Sequence, residues 1–198
     1  GTQDHKGNRI VNSQTVNDSW RSSEPSLRFD GSDDRVSVAS NSALDFSGNF
    51  TISAWIKLKD YTANTTQAIV HRQNGGIRYY MAWRGNSSDI IQVAINGDGG
   101  SNYDINSATN AITDNDWHHI VATIDRGVNN HKIYVDGVQS GSTATGGTTG
   151  PINPDAPLMI GSNGDASGSF FDGEIKDVRI HNRAMEADEV KGLYNGES

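Results

Sequence analysis

FTISAWIKL, residues 50–58, is the stretch whose reading decides the fold. Successive strand residues point to opposite faces of a sheet, so Phe50, Ile52, Ala54, Ile56 and Leu58 share one side and Thr51, Ser53, Trp55 and Lys57 the other. The first set is wholly apolar, and that side is read as core. Nine further short runs of β-branched and aromatic residues lie around it: LRFDG (27–31), RVSVA (35–39), AIVHR (68–72), IRYYMAW (77–83), IIQVAIN (90–96), HHIVATID (118–125), HKIYVDG (131–137), LMIG (158–161) and EIKDVRI (174–180). Each is bounded by turn residues, as strands are. Asp136-Gly137 between Val135 and Val138 is a strong tight-hairpin signal, so strands at 131–135 and 138–141 are expected to pair antiparallel. A helical pattern occurs once, near the end, where Met185, Val190 and Leu193 fall on one side of one or two turns.

Composition agrees with an all-β chain. Its 198 residues include 22 Gly but 4 Pro, and 34% are hydrophobic, in short runs; that suits many strands joined by polar turns. A formal net charge of −8 repels phosphate backbones and anionic membrane surfaces, so nucleic acid is not expected as a partner. No apolar run approaches the roughly 20 residues that span a bilayer, so membrane insertion is not expected either. The chain contains no cysteine, which excludes disulfides, thiolate metal sites and cysteine nucleophiles. Residues 1–24 are polar and without sustained periodicity, and read as a linker or extension to other domains of the same polypeptide, with 25–198 as one domain. No charged-then-apolar leader follows Gly1, so any export signal is expected upstream or already removed.

Four segments in this order, SLRFDGSDDRVSV (26–38), FTISAWIKL (50–58), DWHHIVATIDRGVNNHKIYVDGV (116–138) and FFDGEIKDVRIHNRAM (170–185), resemble the laminin G-like branch of the concanavalin A-like lectin and glucanase superfamily. The resemblance implies a jelly-roll sandwich of two antiparallel sheets with a short C-terminal helical turn, in a secreted or cell-surface protein. The superfamily includes sugar-binding modules, glycosidases, lyases and protein-binding domains, so function has to be argued from sites.

Catalysis fits poorly. Retaining glycosidases need two carboxyl groups about 5–5.5 Å apart, which the glucanases of this superfamily carry as E-x-D-x-E on one strand. Here the nearest approach is Glu174-Ile175-Lys176-Asp177, whose carboxyls fall on opposite faces. His118 and His119 also point oppositely and cannot chelate one ion together, so they read as framework residues, each holding a loop. His71, His131 and His181 are isolated and default to surface or framework roles. Asp30, Asp33 and Asp34 crowd three carboxylates at a strand exit, a pattern calcium relieves. The resemblance places calcium near where the first and last strands meet, adding Asp177 to that set. The loops at Asn96–Asp104 and Asn163–Asp165 are candidates for a second ion, and ordinary turns explain them equally well.

A carbohydrate ligand requires an aromatic plane for the apolar face of a sugar and planar polar side chains for its hydroxyls. The richest supply is His71-Arg72-Gln73-Asn74, Tyr79, Tyr80, Trp83, Arg84, Asn86, Asn102 and Tyr103. Trp83 beside Arg84 and Asn86 is the expected platform, with Tyr103 and Arg72 as further ligand-binding residues. The expectation is therefore a non-catalytic, lectin-like carbohydrate-binding module, calcium-assisted; the alternatives are a protein-binding adhesion domain and a structural spacer in an extracellular assembly.

Overall fold

The computed structural model describes residues 25–85, 88–100, 102–165 and 167–196; the expected linker at 1–24 lies outside them. Thirteen strands form two sheets. They are β1 (Leu27–Asp30), β2 (Val36–Val38), β3 (Phe50–Leu58), β4 (Thr66–Asn74), β5 (Ile77–Arg84), β6 (Ile90–Asn96), β7 (Tyr103–Asn106), β8 (Trp117–Asp125), β9 (Asn130–Val135), β10 (Val138–Gln139), β11 (Ala144–Thr145), β12 (Leu158–Ile160) and β13 (Asp172–His181). One sheet runs β1-β13-β3-β8-β9-β10, with β11 also on β9, and the other runs β2-β12-β4-β5-β6-β7. Every strand pairing is antiparallel, and the strand order gives the expected jelly-roll sandwich. All ten expected strands are present. β7 and β11 were not anticipated, because such short polar segments become strands only through the neighbours they pair with.

Phe50, Ile52, Ala54, Ile56 and Leu58 are buried between the sheets as their alternation requires, opposite Tyr79, Met81, Trp83, Ile91, Val93 and Ile95. The other face of β3 is covered as well. The helix α1 (Ala187–Asn195) and the segment before it close over this side, where Val121, Tyr134, Met185 and Val190 form a second apolar cluster with Leu193 packed against it. Tyr194 stacks on Trp55 at 5.7 Å, and Trp55 on His119 at 4.9 Å. Thr51 Oγ1 donates to Arg183 O at 2.7 Å and accepts from Met185 N at 3.0 Å, fixing the approach to α1. The Glu189 carboxylate accepts the Glu186 amide at 2.9 Å, capping the helix start. Burying Val190 completely contributes roughly 1.5–3 kcal/mol.

Asp136 (φ 52°) and Gly137 (φ 76°) are both left-handed, the I′ geometry that a two-residue hairpin favours. The Asp136 carboxylate accepts the His119 amide at 2.9 Å and meets His118 Nδ1 at 2.8 Å, while His118 Nε2 lies 3.0 Å from Asp114. His118 therefore ties the loop before β8 to the β9–β10 turn, the loop-holding role expected of it. Burial alone would lower the His118 pKa, but the hydrogen bonds and charges of Asp136 and then Asp114 outweigh it and raise the pKa above 6.5. A raised folded-state pKa stabilises the fold fully below the unfolded value and stops doing so as pH rises through the folded one. The melting-temperature gap between the native chain and His118→Gln should be widest below pH 6.5 and narrow as the pH rises past it; a gap independent of pH in a thermal-melt series contradicts the clamp.

Candidate functional site

The two outward faces of the sandwich differ. On the seven-stranded sheet α1 covers much of the surface. Among the described residues nothing comparable covers the six-stranded sheet, and register decides which side chains stand there.

β4 and β5 join through Gly75-Gly76, with Asn74 opposite Ile77 and Gly75 at φ 57°, the positive φ that a II′ turn needs at its first position. From this turn the pairs run Gln73 with Arg78, His71 with Tyr80 and Ala68 with Ala82, all outward, while Arg72 with Tyr79 and Val70 with Met81 face the core. A bulge at Ile69 on β4 shifts its alternation by one, so that Ala68 faces outward opposite Ala82, while on β5 Trp83 stays inward with Tyr79 and Met81. β6 and β7 continue the outward rows with Gln92, Ala94 and Asn96, then Asp104 and Asn106.

The expected platform is thereby corrected. Trp83 is 0% exposed, because it shares the parity of Tyr79 and Met81, and it fills the core. Arg72 is also 0% exposed: its guanidinium donates to Ala156 O at 2.9 Å, Leu44 O at 2.7 Å, Asp45 Oδ1 at 2.5 Å and Ser40 Oγ at 3.3 Å. It pins two loops to the sheet and has no surface to offer a ligand. Tyr103 pairs with Ile95 on the inward row, packs against the core and sets its ring edge-on to His131 at 5.7 Å, so it too stands apart from the outward face. Asn86 lies outside the described residues. Of the expected set, Arg84 alone is on this face.

The aromatic plane that does face outward is Tyr80. Its half-buried ring lies parallel to the His71 imidazole, with centroids 5.1 Å apart and planes 2° apart, and the Arg78 guanidinium carbon sits 5.8 Å from its centroid. Tyr80 OH donates to Gln92 Oε1 at 2.8 Å, which also accepts from Arg84 Nη1 at 3.0 Å, and Gln92 Nε2 donates to Asn106 Oδ1 at 3.2 Å. Burial raises the Tyr80 pKa, with Asp104 adding to it, so the hydroxyl stays a donor at neutral pH. At the turn end of this face, His71, Gln73, Asn74 and Gly75 meet Asn163, Gly164 and Asp165 around a cleft of ≈ 370 Å³, within the usual range of small-molecule sites. Gly164 is obligatory for that approach: a Cβ there would stand 2.8 Å from His71 Nδ1. Burial, helped by the Arg78 charge and opposed by Asp165, lowers the His71 pKa to about 4, so the imidazole is neutral at pH 7. Sequence reasoning counted Tyr80 in the aromatic supply but chose Trp83 as the platform, and it did not name Arg78 or Gln92. The signal available for them was the Gly75-Gly76 turn, which sets the parity of everything after it.

The acidic residues do not assemble as expected. Asp30, Asp33 and Asp34 do place carboxylate oxygens within 4.8 Å of one another, all exposed. Asp30 Oδ1 accepts the Ser32 amide at 2.9 Å, and Asp34 Oδ2 the Asp30 amide at 3.1 Å; the Ser32 amide foremost holds the Asp30 pKa below its ordinary value. Asp177 is not part of this group. The residue opposite Asp30 is Asp172, and Asp177 lies five residues further along β13, about 16 Å at 3.3 Å per residue. It sits at φ 52° in a bulge, bonded to Arg179 at 2.7 Å. Of the loops considered for a second ion, Asp165 accepts from Ser167 Oγ at 2.7 Å, and Asn96 donates to Gly76 O at 2.7 Å; both are ordinary turn contacts.

Residues 30–191 match the profile of a laminin G-like family of the concanavalin A-like lectin/glucanases superfamily. Comparison with curated protein sequences gives no match. Among solved structures, the chain is similar to the binding domain of Paraclostridial Mosquitocidal Protein 1 (17% identity, TM-score 0.67, covering 86% of this chain and 43% of that one). It is similar to the binding domain of botulinum neurotoxin serotype G (19%, 0.59, 87% and 47%), and to the CBM40 of a Ruminococcus gnavus sialidase bound to α2,3-sialyllactose (16%, 0.57, 74% and 83%). The chain thus spans less than half the length of the toxin binding domains it matches, and at these identities the likeness is one of fold.

Arg72→Ala removes a wholly buried side chain and leaves the Leu44 and Ala156 carbonyls without its donors, and should cost about 3 kcal/mol, lowering the melting temperature by roughly 6–12 °C. Tyr80→Ala, on the outward face, should cost less than half as much in denaturant titration. Equal losses contradict the division between inward and outward rows.

Proposed function

We propose that this chain, which belongs to the concanavalin A-like lectin/glucanases superfamily, is a non-catalytic carbohydrate-binding module acting outside the cell as part of a larger protein. The observation that carries the reading is the outward face of the six-stranded sheet, where the parallel planes of Tyr80 and His71 are surrounded by Arg78, Arg84, Gln92 and Asn106. A pyranose offers an apolar face that stacks on an aromatic ring and an equatorial belt of hydroxyls that amide, carboxylate and guanidinium groups recognise. The cleft at His71, Asn74 and Asp165 extends the same surface and adds acceptors and donors. The CBM40 neighbour, solved with a sialylated sugar, supports the class of ligand.

Among the described residues the nearest candidate carboxylates are engaged, which supports binding over hydrolysis. Glu174 accepts from Ser26 Oγ at 2.6 Å and Asp172 is paired with Lys59 at 3.0 Å, so neither stands as an unengaged acid or base.

Calcium belongs to this reading as an accessory at the acidic turn. Asp30, Asp33 and Asp34 would supply three of the about six to eight oxygens it takes, and the ion would relieve their mutual repulsion.

Glycan-array screening of the purified chain should find sugar ligands, and Tyr80→Ala should weaken them about tenfold, the equivalent of one aromatic contact. An array without hits, or steady release of reducing ends from polysaccharide above a heat-inactivated control, overturns the reading. For calcium, a concentration a hundred times its dissociation constant adds about 2.7 kcal/mol, so melting should rise by roughly 5–10 °C over excess chelator. Asp30→Ala should erase the rise; identical melting in both buffers removes calcium from the proposal.

A further inference from the structure

The charges on the outward face are unequally satisfied. Arg84 is bonded to Gln92 at 3.0 Å, and Asp165 accepts the Ser167 amide at 3.1 Å and its hydroxyl at 2.7 Å. Arg78 is different. Among the described residues its guanidinium has no hydrogen-bond or ion-pair partner; its Nε is buried and unbonded, and its one close contact is the Tyr80 ring. Register places it between Gln73, which lines the cleft, and Asn96. His71 Nδ1, beside it in the same group, is likewise buried without a partner, in a residue only 9% exposed.

A guanidinium is a planar fork of donors whose geometry matches two coplanar oxygens, and stacking on an aromatic ring holds that plane fixed. We propose, resting on the carbohydrate reading above, that the sugar this face recognises carries a carboxylate, as uronates and sialates do, with Arg78 taking the carboxylate, Tyr80 supporting the ring, and the His71–Asn74–Asp165 cleft receiving the hydroxyls. An unbonded guanidinium with no carboxylate partner among the described residues, on a chain of net charge −8, suits one carboxylate. It does not suit a densely sulfated or phosphorylated polymer, which the long-range field repels more strongly. His71 is neutral at pH 7 and Arg84 is engaged by Gln92, which leaves Arg78 as the unengaged guanidinium that makes the selection.

Titration calorimetry of the full chain provides the test, using probes that differ in charge at the carboxyl group: 3′-sialyllactose against its methyl ester, and trigalacturonate against its methyl ester. At least one acid should bind tenfold or more tightly than its uncharged counterpart, and whichever pair responds identifies the sialate or the uronate as the source. Arg78→Gln should bring the acid down to the affinity of the neutral sugar without moving the melting temperature, since the side chain is half exposed. Arg78→Lys, which keeps charge but not the fork, should recover less than half of the lost binding energy. Equal binding of acid and neutral sugars, an acid preference that survives Arg78→Gln, or 3′-sulfolactose binding as well as 3′-sialyllactose overturns the inference. If acid and neutral sugars bind equally and Tyr80→Ala abolishes both, the carboxylate inference falls and the carbohydrate reading stands; if nothing on the array binds, both fall.

Discussion

The outward face of the six-stranded sheet depends on one constraint, the register of β4 against β5. Side chains alternate with a period of two, so a slip of one residue exchanges every inward group for an outward one. The two-residue turn at Gly75-Gly76 sets Arg72 and Tyr79 inward and His71 and Tyr80 outward, and the bulge at Ile69 shifts the alternation of β4 by one, so that Ala68 stands outward opposite Ala82. Burial then locks the choice. Tyr79, Met81 and Trp83 are wholly enclosed by the opposite sheet, so the slipped alternative would expose three large apolar groups and bury two charged or polar ones.

The sandwich also divides labour between its two outward faces. On the seven-stranded sheet, Trp55 and His119 would be exposed aromatic surface if the chain ended at β13. Instead Tyr194 stacks over them and Met185 and Val190 cover Val121 and Tyr134. A helix of nine residues is marginal by itself; here it is held by packing, by the Arg183–Glu189 pair at 2.7 Å and by the Thr51 hydroxyl. That face is thereby structural. Among the described residues the six-stranded sheet has no such cover, and its outward side chains are short, planar or polar: Ala82, Ala94, Gln92, Asn96, Asn106 and Asp104 around Tyr80. The result is a flat floor of alanines and amides with the Tyr80 ring standing on it.

Arginine and aspartate were the residue types that misled most. A guanidinium in a strand beside asparagines suggests recognition, but Arg72 is consumed in tying the 40–45 segment and Ala156 to the sheet, while Arg78, six residues on, has its guanidinium unbonded. The difference lies in parity and in which loops cross above each strand. Asp177 was grouped with Asp30 because first and last strands do pair; the pairing brings Asp172 to that place instead, and the bulge turns Asp177 toward Arg179.

The sequence by itself determined the class of fold and most of its strands, because alternation within FTISAWIKL and its nine companions and the Asp136-Gly137 turn are local signals that burial reinforces. It also supplied the acidic turn, whose three carboxylates are neighbours along the chain and needed no tertiary contact to meet. The tertiary structure alone decided which aromatic is displayed and which arginine is left unbonded. Whether Trp83 or Tyr80 faces water depends on which side of β5 the other sheet occupies, and the cleft joins residues 71–75 to residues 163–165, nearly ninety positions apart, which only the pairing of β12 with β4 brings together.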